Sequence, residues 1–122
     1  MKKNVVHVLF MAPALLLLGA CLAFGQPKGE TVTVKGEVVD LWCYLEGGDR
    51  GAAKKACATA CATAGNPIGL VDAKGNVYVT AGLKDHEPGH ALLLDKMSQE
   101  VTVTGTLVKN GGVQMIYVES IK

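Results

Sequence analysis

The chain is expected to fold as a mainly-β protein, a small five-stranded barrel with a helical insertion after the first strand and a short helix between the third and fourth. Three observations predict this. Two segments near the ends of the domain, Thr31 to Leu41 and Val101 to Val108, share one alternating pattern broken by a central glycine, at Gly36 and Gly105. Two tight hairpin turns, Asp72-Ala73-Lys74-Gly75 and Asn110-Gly111-Gly112, each sit between β-rich runs. Finally, an alanine-rich stretch, Ala52 to Ala64, interrupts the β pattern and ends at Gly65, a natural helix stop.

The elements follow in order. Residues 26–30, Gln26 to Glu30, form a short polar linker. In the first strand Val32, Val34 and Val38 share one face and Thr31, Thr33, Lys35 and Glu37 the other, which is the signature of a half-buried strand. The alternation slips at Val38-Val39, predicting a β-bulge before Asp40-Leu41-Trp42. Glu46 to Gly51 is a turn, and the inserted helix follows over about thirteen residues. Pro67 to Val71 and Asn76 to Ala81 are the strands of the first hairpin, and His90 to Met97, introduced by Pro88-Gly89, is the short helix. Val101 to Val108 and Val113 to Ile121 make the second hairpin. A closed small barrel requires strands that coil sharply, and the mid-strand glycines provide for it. Five strands with a helix between the third and fourth is the order of the OB-fold, so residues 31–122 are read as one OB-fold-like domain.

Ahead of that domain, Lys2 and Lys3 precede an apolar run from Val5 to Phe24, interrupted only by His7 and Pro13. This predicts an export signal over residues 1–25. Two processing chemistries fit it. Leu18-Gly19-Ala20-Cys21 resembles a bacterial lipobox, which would make Cys21 a lipidated first residue and anchor the chain to a membrane. Ala23-Phe24-Gly25 before Gln26 instead fits an ordinary signal-peptidase site and a soluble product. Either route sends the domain to the periplasm or outer cell envelope. Without Lys2 and Lys3, ten basic residues face eleven acidic ones, a net charge of about −1. That balance, with only four aromatics outside the signal, excludes nucleic acid as a partner.

Chemistry concentrates in the cysteines. With Cys21 assigned to the signal, the domain keeps Cys43, Cys57 and Cys61, an odd number for an oxidising compartment. Cys57 and Cys61 lie four apart on a helix and share a face, with Cβ atoms about 5 to 6 Å apart, too far for an easy disulfide, which wants about 3.5 to 4.5 Å. A disulfide from Cys43 to Cys57 or to Cys61 would staple the insertion to the first strand, and closing a loop of about 15 residues contributes about 3 kcal/mol. Alternatively all three thiols converge. With a histidine they would suit zinc, and alone they would suit copper(I). His86 and His90, in Asp85-His86-Glu87-Pro88-Gly89-His90, are the candidate nitrogens. Thiol redox chemistry is a weaker third reading, because Cys-x-x-Cys at a helix start is absent. The Cys-x-x-x-Cys spacing is also that of copper-handling envelope proteins, but a binuclear copper motif needs a histidine and a methionine just beyond, where Ala62-Thr63-Ala64-Gly65 stands.

Other chemistry is excluded or bland. The chain has no Cys-x-x-Cys-His for covalent haem, no phosphate loop, no Gly-x-Ser-x-Gly elbow and no helical His-Glu-x-x-His. Asp40 is read as a bulge or turn residue, and Trp42 and Tyr44 as packing for the inserted helix.

The segments Asp40-Leu41-Trp42-Cys43-Tyr44, Cys57 to Cys61 and Gly65-Asn66-Pro67-Ile68-Gly69-Leu70 resemble those of an uncharacterised group of small exported bacterial OB-fold-like proteins. The resemblance implies a fold and an envelope location, and no activity. Taken together the residues point to an exported envelope binding protein without catalytic groups, its cysteine cluster holding zinc or copper. The alternative is a disulfide-stapled interaction module that recognises an envelope protein or small ligand.

Overall fold

The computed structural model describes residues 28–122. The export signal, Cys21 and the start of the linker lie outside the described residues. Five strands, β1 (Glu30–Asp40), β2 (Ile68–Asp72), β3 (Val77–Ala81), β4 (Glu100–Asn110) and β5 (Val113–Ile121), close a barrel in the order β1-β2-β3-β5-β4. All neighbours are antiparallel except β3 and β5, which run parallel. This is the mainly-β, OB-fold-like barrel that the sequence predicts. The two strands with matching patterns, β1 and β4, are neighbours, paired from Glu30↔Leu107 to Glu37↔Glu100.

Their glycines serve closure. A Cβ at Gly36 would stand 2.8 Å from the Val71 carbonyl oxygen of β2, so a side chain here would wedge the strands apart where β1 passes from one partner to the next. Gly105 meets the Tyr117 carbonyl of β5 in the same manner. The hairpin between β4 and β5 turns on Gly111 and Gly112, both at positive φ (55° and 81°), the conformation that a two-residue hairpin turn demands.

Two expectations are corrected. No register shift occurs at Val38-Val39, where β1 pairs evenly with β2. The bulge lies instead in the β4–β5 ladder, between Thr104 and Gly105, where Ser120 and Val118 are the successive partners and Glu119 is left over. The slip in alternation has another cause. Val38 belongs to the main core with Leu70, Val103 and Ile116, while Val39 points the other way into a second cluster with Leu41 and Val71, so both faces of β1 are covered there. Second, Leu41 to Gly47, the first part of which was expected to prolong the strand, forms a helix, α1 (Leu41–Gly47).

The rest of the insertion is a 3-10 turn, Ala52–Lys54, running into α2 (Lys55–Thr63). Helix α2 lays Ala58 and Ala62, four apart, into the main core, where their small side chains let the backbone sit close to the barrel. The short helix α3 (His90–Leu93), followed by a 3-10 turn at Leu94–Lys96, adds Leu93 and Met97 to the same core. Together these elements complete the main core of the barrel.

Candidate metal centre

The site is built where β1 ends. Asp40 is the N-cap of α1: in extended conformation, it accepts a hydrogen bond at Oδ1 from the Cys43 backbone N–H at 2.8 Å. That bond fixes the first turn of α1 and with it the position of Cys43. Gly48, at φ 73°, closes the helix by returning its N–H to the Cys43 and Tyr44 carbonyls. The loop that follows is pinned back onto β1 through Glu37, whose carboxylate takes the Arg50 guanidinium at 3.0 Å and the Gly51 N–H. Lys54 pairs with Asp49 at 2.9 Å, a bond that raises the Lys54 pKa and keeps a cation close to the cysteines.

On α2 the register does the rest. With Ala58 and Ala62 committed to the core, Cys57 and Cys61, each one residue earlier, are carried about 100° round the helix to its rim, toward α1. There the three sulfurs of Cys43, Cys57 and Cys61 lie within 4.8 Å of one another. Cys43 Sγ donates to Cys61 Sγ at 3.8 Å. All three are thiols in this structure, and Cys57 is the exposed member of the set.

Their electrostatics favour a cation. The Cys43 thiol is pushed up to about 12, first by the neighbouring Asp40 side chain, then by Cys61 and by burial. For Cys61 the hydrogen bond from Cys43 pulls downward, but burial and Cys57 outweigh it, and the net direction is up. The Cys43 and Cys61 thiols and a buried carboxylate crowd one another, which disfavours these two thiolates in the absence of a positive ion. A thiol nucleophile or redox centre would need the opposite shift.

Neither histidine joins the cluster. His90 turns its ring to the C-terminal end of α2, where Nε2 meets the Ala62 carbonyl at 2.6 Å, tying α3 to α2. His86 is an exposed loop residue at φ 58° beside Asp85. Of the two expected donor sets, sulfur with imidazole and sulfur alone, the described residues bring together the three sulfurs alone.

Asp40 is the residue that sequence reasoning undervalued. It is 1% exposed, and its Oδ2 is the single buried side-chain polar atom without a hydrogen-bond partner among the described residues. Its signal was present, since an aspartate after a strand, with a Gly-Gly pair seven residues on, is the punctuation of a short helix. The packing role expected of Trp42 is also corrected. Tyr44 does pack on the second cluster, but Trp42 is 63% exposed. With Leu41, Leu45, Pro67, Val79 and Val113 it lines an open apolar groove of about 760 Å³ beside α1.

Comparison of the chain with models of known families, with curated proteins and with solved structures finds no match.

Proposed function

We propose that this is a non-catalytic binding protein of the cell envelope whose cysteine cluster holds a thiophilic metal ion, zinc(II) or copper(I). The convergence of Cys43, Cys57 and Cys61 within 4.8 Å carries this reading. A tetrahedral site with metal–sulfur bonds of about 2.3 Å needs sulfurs about 3.8 Å apart. Cys43 and Cys61 already have that separation, so the widest pairs have only about 1 Å to close. The scaffold also suits a metal site, because two sulfurs ride on a helix packed into the main core and the third on a helix whose first turn is capped by the last residue of β1. Export rests on the sequence of residues 1–25, and the resemblance to small exported OB-fold-like proteins is part of the same proposal.

The test is metal analysis of protein purified without chelator, combined with thiol alkylation. The reading requires one zinc or copper per chain and three thiols that become reactive only when the metal is stripped. No stoichiometric metal, with one alkylatable thiol, would replace it by the interaction module, whose cysteines are structural. That second reading draws its support from the apolar groove beside α1 and the exposed Trp42 and Leu45 on its wall. Intact-mass measurement on native membrane and soluble fractions decides the anchor: acyl chains on Cys21, or a mature chain beginning at Gln26.

A further inference from the structure

We propose that Asp40 supplies the fourth donor of the cysteine site and makes it a site for a four-coordinate dication of the zinc class in preference to copper(I). This inference rests on the metal reading above. Its carrying observation is separate from the thiols: a nearly fully buried carboxylate that spends one oxygen on capping α1 and leaves the other, Oδ2, without any donor. Buried polar atoms are almost always satisfied, and a charged one left bare is costly. Among the described residues no lysine or arginine pairs with Asp40, which is hydrogen-bonded to the Cys43 backbone and whose charge acts on the Cys43 and Cys61 thiols. A cation held by those sulfurs is the partner that the bare oxygen lacks.

Donor chemistry then discriminates. Zinc accepts carboxylate oxygen alongside sulfur in a closed tetrahedral site. Copper(I) is soft, is satisfied by three thiolates and gains little from a hard oxygen ligand. Three thiolates and a carboxylate also place four negative charges around the ion, which favours a dication over a monocation. Asp40 is not one of the residues whose ligand atoms all lie within 4.8 Å of one another, so it joins the sulfurs as the site closes on the ion. The exposed Cys57 side chain has the freedom to swing inward as the site contracts. Asp40 itself need not leave its cap, because Oδ1 and Oδ2 serve the two roles separately.

The experiment compares the reduced full chain with Asp40→Asn, which keeps a capping oxygen and loses the charge, and with Asp40→Ser, a second good cap of different shape. Zinc is titrated against a chromophoric chelator and copper(I) against a copper(I)-specific one. The expected result is zinc binding weakened by more than about 100-fold in both variants, beyond the loss of an outer-sphere partner, with copper(I) binding changed less than about threefold. Cobalt(II) in the wild type should give the intense visible bands of a tetrahedral site, and these should weaken or shift in both variants. Zinc affinity and cobalt spectra unchanged by the substitutions would overturn the role of Asp40 and leave the three-thiol site standing. Equal weakening of both metals would also overturn it, as a structural loss. A wild-type chain that binds neither zinc nor copper(I) would instead remove the metal reading itself.

Discussion

Asp40 and Asp72 end two strands that pair with each other, β1 and β2, and each holds the chain segment that follows. Asp72 lies in the β2–β3 hairpin and is used to capacity: Oδ1 accepts from the Lys74 and Asn76 N–H groups at 2.9 and 2.8 Å, and Oδ2 from the Asn76 amide at 2.7 Å and the Tyr78 hydroxyl at 3.4 Å. These bonds, the Asn76 amide first, hold its carboxyl below the usual aspartate range. Asp40 is more deeply buried and yet accepts one bond, leaving an oxygen bare beside two thiols. The two carboxylates separate structure from function in this barrel. On the proposed reading, the carboxylate that serves stability is surrounded by donors of its own chain, whereas the one that would serve a ligand has capacity left over.

Substitutions probe that division directly. The thiols should respond most: Cys61→Ser should cut metal affinity by more than about 100-fold, beyond the loss expected of an outer-sphere partner, as measured by chelator competition. By contrast, Asp72→Ala should leave metal affinity unchanged and lower folding stability by about 2 kcal/mol in denaturant titration, since several donors of the turn lose a charged acceptor. His90→Ala should cost about 1 kcal/mol through the lost bond to Ala62 and also leave the metal in place, whereas a histidine ligand would lose it.

A finer difference is expected in acid. Because the Asp72 pKa is lowered in the folded state, its contribution is fully present above the unfolded value near 3.8 and disappears as pH falls through the folded one. The difference in stability between wild type and Asp72→Asn should therefore shrink below about pH 4, read from urea midpoints across the acid range.

The barrel was legible because its devices are local. Gly36 and Gly105 in matching strand patterns, and Gly111-Gly112 in a hairpin, announce bends and turns whatever surrounds them. The convergence of the three cysteines was legible in part, since four-residue spacing puts Cys57 and Cys61 on one helical face. The rest depended on tertiary packing. Val38 and Val39 are both buried because two separate clusters meet at β1, and a sequence cannot distinguish that from a bulge. Leu41-Trp42-Cys43-Tyr44 carries strong β-formers, and Asp40 capping with Gly48 closure overrides them to make α1. The histidines looked like ligands because of their residue type, and the fold spends one of them on bracing the end of α2.

That the inserted helices gather three sulfurs around one ion is best tested by X-ray absorption at the metal edge of the zinc-loaded reduced protein. Three sulfurs at about 2.3 Å and one oxygen at about 2.0 Å are the predicted shell. A shell of oxygen and nitrogen alone, or one with a single sulfur, would contradict it.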